Sequence, residues 1–99
     1  MRLTDQQRSI IRSTARACYG EDATVLLFGS RLDDRRRGGD IDLLVETDLP
    51  PEEAFAAEQR FYARLQRLLG ERQIDITSHS RSCAPSSFQA QALASGEPV

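Results

Sequence analysis

The stretch that most constrains this chain is Asp40-Ile41-Asp42-Leu43-Leu44-Val45-Glu46, an apolar strand carrying two carboxylates one residue apart. Strand side chains alternate between faces, so Ile41, Leu43 and Val45 share one face and Asp40, Asp42 and Leu44 the other. A second segment, Gln73–Thr77 (QIDIT), repeats the pattern, with Ile74 and Ile76 on one side and Asp75 opposite. If both apolar sets pack on one core, Asp40, Asp42 and Asp75 all project to the same side. Such a cluster is unfavourable by itself. Two unit charges about 5 Å apart repel by roughly 3 kcal/mol at an effective dielectric near 20.

A divalent cation reverses that sign. Clustered hard oxygen ligands without histidine or cysteine suit Mg²⁺, with Mn²⁺ as the alternative, rather than zinc. Magnesium takes few carboxylates and completes its shell with water and phosphate oxygens, so the cluster points to a nucleotide. The Gly29-Ser30 step supplies a second half. It follows the apolar run Thr24–Phe28 (TVLLF), where a strand ends and the chain must turn. Glycine allows close backbone approach to a ligand, and Ser30 offers a hydroxyl and a backbone N–H to phosphate.

The remaining elements follow from caps and spacing. Thr4 with Gln7 three residues on makes a capping box. Gln7, Ile10, Ile11, Thr14, Ala15 and Cys18 then fall on one face of a helix over Asp5–Tyr19, which Gly20 can stop. Thr24–Phe28 reads as a central strand covered on both faces. Pro51 suits the first turn of a second helix, with Glu52 and Glu53 placed for the helix dipole. Ala54, Ala57, Phe61, Leu65 and Leu68 continue its apolar stripe to Gly70. Pro85 opens a last helix over Ser86–Ser95, closed by Gly96. The expectation is one α/β (α+β) domain over residues 1–99, a small β-sheet with flanking helices in the order αβ(α)βαβα.

Composition excludes several alternatives. The net charge of -2 points to neither nucleic acid nor an anionic membrane. All basic residues are arginine, so no catalytic or phosphate-loop lysine exists. Cys18 and Cys83 are far apart and lack metal-site spacing, which reads as two reduced thiols. No apolar run approaches membrane-spanning length, so the expected location is cytoplasmic.

The pair Leu-Phe-Gly-Ser (27–30) and Asp-Ile-Asp-Leu-Leu-Val-Glu (40–46) closely resembles the nucleotidyltransferase superfamily that includes DNA polymerase β. In length the chain resembles its minimal nucleotidyltransferases, the antitoxin partners of HEPN proteins in toxin–antitoxin pairs. The resemblance implies a mixed sheet flanked by helices. It implies that Gly29 and Ser30 hold the triphosphate of ATP and that Asp40 and Asp42 hold the metal. Asp75 would complete the triad and assist deprotonation of an acceptor hydroxyl. Arg31 matches a common family arginine on the nucleotide side. Two positions depart from the pattern: Gly39 stands where many members have Ser or Thr, and Asp33 where many have a small residue. These leave the metal ligands intact and alter the phosphate contacts.

The activity so implied is Mg²⁺-dependent transfer of AMP from ATP to a hydroxyl, with a HEPN-type toxin as the protein partner in a hetero-oligomer and no direct nucleic-acid target. Two alternatives stand beside it. One is an antitoxin acting by contact without catalysis. The other is a small-molecule nucleotidyltransferase that borrows a helical substrate-binding chain. Arg35-Arg36-Arg37 reads as a solvated loop whose charge Asp33 and Asp34 largely cancel; Gly38-Gly39 would let it act as a flap. The Arg72…His79 spacing matches that of HEPN ribonucleases, but that motif belongs on a helix and this segment reads as a strand and its exit. Tyr19 and Tyr62 read as aromatics at the edge of the core.

Overall fold

The computed structural model describes residues 3–28, 41–70 and 73–99. Its elements are α1 (Asp5–Tyr19), β1 (Thr24–Leu27), β2 (Ile41–Thr47), α2 (Pro51–Leu69), β3 (Ile74–Ser80), α3 (Ser87–Ser95) and β4 (Glu97–Pro98). The four strands form one mixed sheet in the order β3-β2-β1-β4. β1 runs antiparallel to both β2 and β4, and β2 runs parallel to β3 across the α2 crossover. The short helix expected between β1 and β2 falls outside the described residues. Among the described residues no helix is long and apolar enough to cross a membrane.

The caps account for the helix limits. Gln7 N donates to Thr4 Oγ1 (3.1 Å) while Thr4 N donates to Gln7 Oε1 (2.9 Å), closing the expected box at the start of α1. Gly20 ends α1 at φ 113°, a region that penalises any side chain, and its N–H closes onto Arg16 O. Ser86 and Gln89 form a second capping box on α3.

The main core lies between the sheet and the α1–α2 layer. Ile11 and Ala15 of α1, Phe61 and Leu65 of α2, and Ile41, Leu43 and Val45 of β2 are all fully buried there. Tyr19 meets Phe61 edge-on, with centroids 5.6 Å apart. The buried line of α2 follows +4 steps from Ala57 through Phe61 and Leu65 to Leu69, which packs against the core. Leu68, expected on that stripe, falls outside it and is 56% exposed. Tyr62 also stands at the surface. A smaller cluster of Phe28, Leu44 and Ala92 lies on the opposite face, under α3. The sheet core is thus covered on both sides, as a continuously apolar β1 requires.

β3 and β4 depart furthest from the sequence reading. β3 continues three residues beyond Thr77, because its polar half still pairs with β2 as far as Thr47↔Ser80. β4 has no sequence signature at all; two residues that include a proline carry no strand periodicity. Val99 N donates to Val25 O, so Pro98 occupies the outward-facing position of β4, where a missing N–H breaks no ladder bond. Arg8 Nη1 donates to Pro98 O (3.0 Å), and Arg12 Nη1 reaches Val99 O (3.3 Å). This edge of the sheet is closed to further pairing.

Candidate active site

Parallel pairing of β2 with β3 sets Ile41 opposite Ile74 and Asp42 opposite Asp75. Ile41 N donates to Gln73 O (2.9 Å), fixing that register at the start of both strands. Buried Ile41 and Ile74 face the α1–α2 core, so Asp42 and Asp75 share the other face, on strands about 4.8 Å apart. Asp42 is half-buried and Asp75 exposed. Gln73 Nε2 donates to Asp75 Oδ1 at 3.4 Å. Leu44, the next β2 residue on that face, is where α3 packs, so the aspartates lie just beyond its cover.

The end of β1 reaches the same place. Phe28 N donates to Asp42 O (3.1 Å), bringing the residue that precedes Gly29 beside the Asp42 backbone. Gly29, Ser30, Arg31 and Asp40 lie outside the described residues, as do Asp33, Gly39 and the arginine run. Of the six expected site residues, the structure therefore positions Asp42 and Asp75. Among the described residues no group of three potential ligands could by itself hold a metal ion. Two carboxylates on adjacent parallel strands are a hard-oxygen donor pair, and that chemistry fits a divalent cation carrying phosphate oxygens.

Farther along the same face, Glu46 pairs with His79. His79 Nδ1 lies 3.2 Å from Glu46 Oε2 and Nε2 lies 2.9 Å from Cys83 O, so this buried ring has an acceptor at each nitrogen. The signal for this pair was present in the sequence: Glu46 follows Asp42 by four residues, and His79 follows Asp75 by four. On the α2 side, Ser78 Oγ donates to Glu58 Oε1 (2.8 Å), so the Tyr19 hydroxyl donates to Ser78 Oγ (2.7 Å). Burial raises the Tyr19 pKa strongly; the Ser78 hydrogen bond opposes the shift and the Glu58 charge adds to it. Both cysteines are free thiols, Cys18 buried and Cys83 exposed.

This mixed α+β frame, a four-stranded sheet with three helices among the described residues, is that of a nucleotidyltransferase fold. The chain belongs to the nucleotidyltransferase domain family: the model described as "Nucleotidyltransferase domain" matches residues 8–85, well over half of its length. Its general chemistry is nucleotidyl transfer, and as an enzyme it is a transferase. The matched range spans Gly29-Ser30, Asp40, Asp42 and Asp75 and stops before α3. A comparison with curated proteins finds no match.

Proposed function

We propose that this chain is a Mg²⁺-dependent adenylyltransferase that moves AMP from ATP to a hydroxyl of a partner protein, acting as the antitoxin of a HEPN-type toxin. The observation that carries the reading is Asp42 standing in register with Asp75, with the end of β1 hydrogen-bonded beside them. Asp40 and Asp42 would hold the metal and Asp75 would complete its shell. Bound there, magnesium supplies charge neutralisation along the triphosphate and aligns it for in-line displacement.

The chain's own residues do the rest. Gly29 and Ser30 bind the triphosphate through backbone N–H and hydroxyl, with Arg31 on the nucleotide side. Asp75, exposed at the start of β3, accepts the proton of the incoming hydroxyl. That oxygen forms a bond to the α-phosphorus, the bond between the α-phosphorus and the bridging oxygen breaks, and pyrophosphate leaves. Adenylylation of a toxin adds a bulky anion to its surface and blocks its RNA site. The family resemblance supplies the base and the partner. The reaction proceeds where such a toxin and ATP meet, in the cytoplasm.

Labelled ATP tests this directly. With the chain, Mg²⁺ and a co-expressed HEPN-type partner, label from the α-phosphate should enter the partner and label from the γ-phosphate should not. Partner neutralised with no α-label incorporated would establish action by contact instead. Label entering only small molecules would establish a small-molecule acceptor.

A further inference from the structure

The two edges of the sheet are treated differently. β4 is closed by Pro98 and Arg8, whereas among the described residues no strand lies outside β3. Ile41 N donates to Gln73 O and Arg81 N donates to Thr47 O, so odd-numbered residues of β3 address β2 and even-numbered ones face outward. Cys83 N and Gln89 Nε2 occupy the outward carbonyls of Ser80 and Ser78. The outward N–H and C=O of Ile76 have no partner among the described residues.

A groove runs beside this edge. One cavity of about 280 Å³ is bounded by Phe55, Glu58 and Ser78, and another of about 330 Å³ by Glu58, Tyr62, Asp75 and Ile76. Glu58 lines both, its hydrogen bond to Ser78 standing between them, and the second reaches Asp75. Phe55 and Tyr62, seven residues apart on α2, are 64% and 45% exposed along it. Among the described residues the lining includes Glu58 and Asp75 and no arginine.

We propose that this groove binds an extended segment of the acceptor protein as an added strand on β3. A basic side chain of the segment lies beside Glu58, and apolar side chains lie against Phe55 and Tyr62. A hydroxyl-bearing residue faces Asp75. The inference rests on the protein-acceptor reading above. Strand addition gives affinity through main-chain bonds and specificity through alternate side chains. The alternation matches this site: Ile74, Ile76 and Ser78 point toward α2, and Asp75 and Thr77 point to the opposite face. An added strand with its hydroxyl residue next to Asp75 therefore sends the two flanking residues into the acidic, aromatic groove. The charge of the groove selects a basic segment.

The probe is a cellulose-bound array of nonapeptides with a central tyrosine and every other position scanned, overlaid with the fluorescently labelled full chain. Binding should select Arg, Lys or apolar residues at odd offsets from the tyrosine and be indifferent at even offsets. Phe55→Glu should lower the signal at least tenfold. Ile76→Pro should do the same, because it removes an outward N–H without touching the β2 ladder. If Ile76→Pro fails to fold, Phe55→Glu at its exposed position keeps the test sharp. No binding, selection without a period of two, or undiminished binding by Phe55→Glu overturns the proposal. So does a concentration-dependent dimer of the chain that Phe55→Glu abolishes, since the occupant is then a second copy. Periodic selection with no α-label transferred from ATP leaves the groove standing and removes the protein-adenylylation reading. α-Label entering a protein with no periodic selection does the reverse.

Discussion

The two faces of β2 and β3 are built from the same residues in alternation and could hardly differ more. Toward α1 and α2 stand Ile41, Leu43, Val45 and Ile74, none more than 4% exposed. Toward the other side stand Asp42, Leu44, Glu46, Asp75, Thr77 and His79, of which only Leu44 belongs to an apolar cluster. Burial of one face supplies the stability that lets the other hold like charges side by side. Changes on the two faces should therefore separate, with stability lost on one and chemistry on the other.

The largest separation is expected from Asp42→Asn. Nucleotidyl transfer should fall by three orders of magnitude or more, about 4 kcal/mol of transition-state stabilisation, while the melting temperature holds. A parallel collapse of the fold would show that Asp42 serves both faces. Phe61→Ala probes the opposite face. Urea denaturation should show a loss of about 3–5 kcal/mol, with transfer per folded molecule unchanged.

Asp75→Asn gives a smaller, two-signed effect. Removing one of two facing charges should raise the metal-free melting temperature or leave it level. It should also shrink the stabilisation that Mg²⁺ and ATP add, because binding to the native state stabilises by mass action. A clear drop in EDTA with an undiminished ligand shift would make the pair structural.

Tyr19→Phe should have the smallest effect, about 0.5–1.5 kcal/mol near neutrality. Its signature lies in the pH profile. The Tyr19 pKa is raised by burial, so above its ordinary value of 10.0 the unfolded chain releases the phenolic proton and the folded chain retains it. Wild-type stability should fall as pH rises past that value, and the substitution should flatten this fall. An equally steep fall in the variant would assign the alkaline limit to other groups.

How much of this was legible beforehand depends on the kind of signal. The limits of α1 and α2 follow from residues that act locally: Thr4, Gln7 and Gly20 at α1, and Pro51 and Gly70 at α2. The common face of Asp42 and Asp75 follows from strand alternation and two short apolar sets. β4 could not be read, because Glu97-Pro98 is a strand only by virtue of the β1 edge it meets. Leu68 was misplaced since the +3 and +4 continuations from Leu65 read alike in the sequence, and the fold packs Leu69. The groove on β3 escaped for a similar reason. Phe55 and Tyr62 are ordinary helix residues until the fold sets them along a strand whose outer side has no neighbouring strand among the described residues.

The closure of β4 by a proline ring and an arginine has a consequence for assembly. A sheet with one open side can pair with a copy of itself only once. Any strand arriving at β3, from another protein or from a second copy, finds no continuation at the far side of the sheet. Two copies joined through their β3 edges would carry Pro98 and Arg8 at both ends of the shared sheet, so growth by sheet pairing between copies ends at the pair.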